Sequence, residues 1–152
     1  MPRELSNPPT LHPAPGFSHV AVATGSRTVH FAGQLALDRD FNVIGGDDLG
    51  EQTKAAMRNL EIAMAEVGAT WDDIVRRTIY TLRPTEYETI TAAIDEVTGG
   101  ADHPAQTIQP DPAPTRTWSR LRRDCHVGLG VTGLALPGLL IEIEATASLS
   151  SP

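Results

Sequence analysis

The sequence predicts an α+β domain, and three observations carry that prediction. Two segments repeat apolar residues at i, i+3, i+7, i+10: Met57, Leu60, Met64 and Val67, then Tyr87, Ile90, Ile94 and Val97. A closing run, Leu139–Ala147, alternates instead, with Leu139, Ile141, Ile143, Ala145 and Ala147 on one face and Leu140, Glu142, Glu144 and Thr146 on the other. The order of elements is a hairpin followed by helix, strand, helix and strand, which gathers both helices on one sheet face.

The N-terminal arm, residues 1–16, holds five prolines and little periodicity, so it reads as a segment laid over the surface or left mobile. Phe17–Ala23 is a short strand, Thr24–Arg27 a turn, and Thr28–Leu37 a stronger strand, which together predict a hairpin. Gly33 interrupts that second strand, where a glycine weakens pairing unless something needs close approach to the backbone. Asp38–Gly46 is a polar turn region. Asp47 or Asp48 then caps a helix that runs to about Val67 and stops at Gly68.

Thr70-x-x-Asp73 predicts a capping box over a short helical turn. Val75–Leu82 is rich in β-formers. Thr85-x-x-Glu88 predicts the cap of the second helix, and Gly99-Gly100 ends it. At about 101–124 lies a Pro/Arg-rich insertion, in which Pro104, Pro110, Pro112 and Pro114 forbid a regular element before Arg116. Four arginines, Arg116, Arg120, Arg122 and Arg123, crowd its end beside Trp118, as a solvated face or as an electropositive rim for anionic small molecules. Leu136-Pro137-Gly138 is turn chemistry, and the alternating strand follows. Residues 17–148 thus read as one domain, with 149–152 as a tail.

The whole chain sets bounds on function. A net charge of −7 and a pI near 5.1 argue against a general nucleic-acid partner, since such binding rests on neutralising phosphates. Cys125 is the only cysteine, which excludes an intrachain disulfide. No apolar run approaches membrane-spanning length, so no membrane partner and a cytoplasmic setting are expected. His12, His19, His30 and His103 show no metal-ligand spacing, and no metal site is expected. With helices on one face and apolar residues on both sides of stretches such as Val131–Leu140, the second sheet face needs cover, which a homo-oligomer supplies.

Four stretches carry a family resemblance: F-A-G-Q at 31–34, E-Q-T-K-A-A-M-R-N-L at 51–60, V-R-R-T-I-Y-T-L at 75–82 and A-L-P-G-L-L-I-E-I-E-A at 135–145. Together they resemble the RidA/YjgF family over roughly residues 15–100 and 127–148. The resemblance implies a chorismate-mutase-like fold assembled as a homotrimer, with small-molecule sites in the clefts between subunits. Many members hydrolyse 2-aminoacrylate and related 2-imino acids to 2-oxo acids and ammonia, with no cofactor. There an arginine clamps the substrate carboxylate, the first glutamate of I-E-I-E-A places or activates water, and the Gly-Gln strand offers backbone groups. Bidentate arginine suits a planar carboxylate, and a carboxylate within hydrogen-bond reach can deprotonate attacking water.

Carried over by position, Glu142 matches the catalytic glutamate, and Gly33 and Gln34 match the Gly-Gln strand. Phe17 stands where a tyrosine is usual, and Thr91 where asparagine is common. The clamp has three candidate positions. An ungapped count back from the closing strand gives His126; reading P-A-Q-T at 104–107 as the family's P-A-R-[ST] gives Gln106; P-T-R-T at 114–117 gives Arg116. Strand register favours the first. His126 could act as an acid or base near neutrality, with Cys125 beside it on the opposite face of a regular strand, which argues against a Cys–His pair. The expected function is hydrolysis of an imine, enamine or related anionic metabolite. The alternatives are a non-catalytic ligand-binding member and a diverged enzyme using His126 or Cys125.

Overall fold

The computed structural model describes residues 2–110 and 133–150. Strands β1 (Arg3–Ser6) and β2 (Val20–Ala23) pair antiparallel as a small sheet. The main sheet holds β3 (Arg27–Leu35), β4 (Ile74–Thr81), β5 (Ala105–Pro110) and β6 (Ile141–Leu149) in the order β3-β6-β4-β5. Helices α1 (Leu49–Ala65) and α2 (Tyr87–Thr98) pack on one face of it. The predicted α+β class with both helices on one face is the observed one.

The closing strand β6 lies between β3 and β4 and runs antiparallel to both. Its alternation divides the molecule. Ile141, Ile143, Ala145 and Ala147 face the helices and pack in one core with Met57, Leu60, Met64, Ile79, Ile90 and Ile94. Glu142, Glu144 and Thr146 occupy the opposite face with His30, Arg76, Thr78 and Tyr80. That face is polar, so the apolar argument for covering it does not hold; residues 133–140, read as part of a two-sided apolar strand, form a turn and loop instead.

Helix α1 begins where Asp48, in extended conformation, accepts the Glu51 backbone N–H at 3.0 Å. Next to that cap sits Gln52, fully buried. Its Nε2 donates to Gly46 O at 2.6 Å and Gly138 O at 2.7 Å, and its Oε1 accepts Leu140 N–H at 2.9 Å. This one amide ties the loop before α1 to the turn before β6, which gives the E-Q-T stretch a structural reason. The Thr70–Asp73 capping box is present over Trp71–Asp73.

Four expectations are corrected. Residues 17–23 and 28–37 form no hairpin with each other: β2 pairs with β1, and β3 with β6. The arm 1–16 contains a strand, anchored by buried Arg3, which donates to Ile74 O and to Asp102 O at 3.0 Å. The insertion opens with a regular element, β5; as an edge strand it tolerates its terminal proline. Thr85 does not cap α2: Pro84–Glu86 form a 3-10 turn, and Glu86 precedes the helix without a side-chain cap bond.

Replacing Gln52 by Leu leaves the buried Leu140 N–H without its acceptor and removes the donor shared by two glycine carbonyls. Urea denaturation is expected to show a loss of roughly 2 kcal/mol or more.

Candidate functional site

Two groups of side chains are candidates for a site, and they sit toward opposite edges of the sheet. The first is built around Glu142. Pairing of β3 with β6 slips between Phe31 and Gln34, so Ala32 and Gly33 bulge from the ladder. The Glu142 side chain lies against that bulge. A Cβ at Gly33 would overlap Glu142 Oε1, so the absence of a side chain at Gly33 is what seats the carboxylate. Gln34 folds back, its Nε2 donating to Ala32 O at 3.1 Å, and so braces the bulge.

Glu142 is half-buried, and its carboxylate has no hydrogen-bond or ion-pair partner among the described residues. Burial, and secondarily the Glu144 carboxylate, raise its pKa above the ordinary glutamate value. Glu144 is differently placed: it accepts the Tyr80 hydroxyl at 3.3 Å. With Arg76, His30, Thr78 and Thr146 it lines a small cavity of about 120 Å³.

The second group surrounds Gln106 on β5. A cavity of about 260 Å³ is lined by Pro15, Phe17, Tyr87, Thr91, Gln106 and Ile108. The sequence builds it by stitching the segment before β2 onto β5. Ser18 donates its backbone N–H to Pro104 O at 3.0 Å and its hydroxyl to His103 O at 2.7 Å. Gly16, at φ +74°, lets the chain pass so close to Thr91 that a Cβ would collide with that side chain. Phe17 is thereby pressed beside α2.

Behind Gln106 stands Arg77, paired with it across β4 and β5 and only 3% exposed. Arg77 Nε donates to Gln106 Oε1 at 2.6 Å, and an Arg77 amino group donates to His103 Nδ1 at 3.1 Å. His103 Nε2 lies 2.8 Å from Asp95 Oδ1, which accepts no well-aligned hydrogen bond. Burial lowers Arg77 to about 10, so the guanidinium stays charged at neutral pH. Burial and the Arg77 charge lower His103, consistent with a neutral ring that accepts from Arg77.

The structure thus brings Gly33, Gln34 and Glu142 together, and separately Phe17, Thr91 and Gln106. It does not join the two sets within one chain. Glu142 faces away from the helices, whereas Gln106 faces them alongside Arg77, and β6 and β5 lie two strands or about 10 Å apart. Arg116, Cys125 and His126 lie outside the described residues. The register argument for His126 does not carry through, because the count back from β6 crosses the turn at 133–140. Arg77 and Tyr80 were not singled out from sequence. Arg77 had a signal: it shares the parity of Ile79 and Thr81, the core face of β4. Among the described residues, no cluster of three metal-ligating side chains occurs.

The family model for endoribonuclease L-PSP matches residues 8–149. The chain belongs to the RidA/YjgF family. Among solved structures, it resembles the Rid-family protein YyfB of Yersinia pestis, a protein of unknown function, at 37% identity and TM-score 0.78, over 98% of this chain and 100% of that one. A member of the YjgF/YER057c/UK114 family from Mycobacterium tuberculosis is 26% identical with TM-score 0.57, over 97% and 99% of the two chains. A RutC family protein of Pyrococcus abyssi is 35% identical over 52 residues, 34% of this chain; the match spans about two fifths (41%) of that curated relative.

Gly33→Ala is expected to displace the Glu142 carboxylate, visible as a shifted Glu142 side-chain resonance with the fold retained by circular dichroism. A pH dependence follows from the raised Glu142. A carboxyl that binds its proton more tightly folded than unfolded contributes less stability as pH rises through its folded pKa. Glu142→Gln is therefore expected to raise the melting temperature relative to the parent at pH 7, and to lose that advantage below about pH 4, where both states are protonated.

Proposed function

We propose that this chain is a RidA-like enzyme that hydrolyses the C=N bond of a small 2-imino acid or its enamine in a cleft between subunits of a homotrimer. The observation that carries the reading is the unpartnered Glu142 carboxylate seated on the Gly33 bulge. A carboxylate held half out of water, with its proton affinity raised, is a stronger base than one in solution, and it is placed to take a proton from attacking water. The water oxygen bonds to the imine carbon as the π electrons move to nitrogen, and Glu142 passes the water's proton to that nitrogen; Glu142 then takes the carbinolamine hydroxyl proton and delivers it to nitrogen as the C–N bond breaks, releasing ammonia and a 2-oxo acid.

Assembly enters through geometry. Glu142 and Gly33 lie toward the β3 edge, and Phe17, Thr91 and Gln106 at the β5 edge, on opposite faces. One copy's β3 side set beside another's β5 side would combine both halves around one substrate. Orienting water and imine in such a cleft would supply much of the rate. A second reading, a ligand-binding member without turnover, is favoured by one observation: among the described residues, no arginine lines the Gln106 cavity. A nuclease reading comes with the name of the matched family model, and the charge of −7 opposes it.

The test is to generate 2-iminopropionate in situ and follow its loss. Catalysis above background is expected, falling about 100-fold or more in Glu142→Gln. An intact trimer with no rate above background would exclude the hydrolase reading and leave the binding one. A monomer at micromolar concentration by sedimentation would remove the shared cleft.

A further inference from the structure

We infer that Arg77 is a positioning residue for ligand recognition: by capturing Gln106 Oε1 it fixes that amide with only its N–H donors available, and it places a buried positive charge directly behind them, so that the Gln106 cavity takes a carboxylate. The inference rests on the reading of this cavity as the ligand half of the site.

Three observations lead there. First, the amide orientation is forced. Guanidinium has donors and no acceptor, so the Gln106 atom 2.6 Å from Arg77 Nε must be oxygen, and Nε2 is what remains for a ligand. No partner for Nε2 occurs among the described residues. Among the described residues the cavity therefore offers Gln106 N–H, the Thr91 hydroxyl and Tyr87, whose hydroxyl donates to Glu88, beside the apolar Pro15, Phe17 and Ile108.

Second, among the described residues the Arg77 charge is incompletely answered. Its hydrogen-bond partners there, Gln106 and His103, are both neutral, and the Asp95 carboxylate is held on the far side of the His103 ring. Buried charges are as a rule paired directly, because desolvation costs so much. A ligand anion one amide away would answer it. Third, the arginine reaches the cavity from the neighbouring strand through a neutral amide. A hydrogen bond to a cation polarises the amide and strengthens its own donation.

Binding, not turnover, tests this, so that its failure is separable from failure of the hydrolase reading. Pyruvate and its primary amide would be titrated into the intact protein and followed by ligand-detected NMR. The parent is expected to bind pyruvate at least tenfold more tightly than pyruvamide. Gln106→Glu keeps the shape and turns the Arg77 bond into an ion pair, so the fold is expected to persist while pyruvate binding is lost. Arg77→Met is expected to abolish the preference for pyruvate over the amide, and Arg77→Lys to restore part of it. Retained pyruvate binding in Gln106→Glu, or an unchanged carboxylate preference in a folded Arg77→Met protein, would overturn the inference. No preference in the parent would overturn it as well. If Arg77→Met does not fold, the Gln106→Glu result decides.

Discussion

Strand β6, made last, sits between β3 and β4, and everything else in the molecule is referred to it. A central strand must satisfy backbone partners on both sides, so its register is fixed twice over. That double constraint turns a period-two sequence into two faces of opposite chemistry. Ile141, Ile143 and Ala145 close the core under the helices, and Glu142 and Glu144 cannot enter it. A slip of one residue would bury two carboxylates. Gln52 secures the strand's entry by binding both its preceding turn and Leu140.

The two glutamates on that strand sit in different surroundings. They share a face and lie two residues apart. Glu144 accepts a hydrogen bond from Tyr80. Glu142 meets a backbone from which a side chain is missing, and its proton is held more tightly for lack of solvent and for the presence of its neighbour. One position of bulge in β3 makes this difference. Without the slip at Ala32 and Gly33, the pleat would put a Cβ where the carboxylate sits.

The far edge of the sheet shows a different device. There a buried cation is held by neutral acceptors, Gln106 and His103, and a glycine lets the chain before β2 lie against α2. Both edges gain their chemistry from close packing of groups distant in sequence: Gly33 with Glu142, Gly16 with Thr91, Ser18 with His103.

The sequence by itself determined the class of the fold, the two helices and the face each residue of β6 presents. These follow from local periodicity and do not depend on distant contacts; Glu142 and Gly33 stood out through the family resemblance, and their contact arises only in the folded molecule. Gln52 stood within a legible motif, though its three bonds did not. Strand partnership was decided only in the folded molecule: in place of the apparent hairpin of 17–37, β2 pairs with β1 and β3 with β6. β5 formed among prolines because an edge strand needs fewer donors. Gln106 acquired its meaning only when β4 laid Arg77 beside it, since no spacing along the chain encodes which residue a parallel strand places opposite.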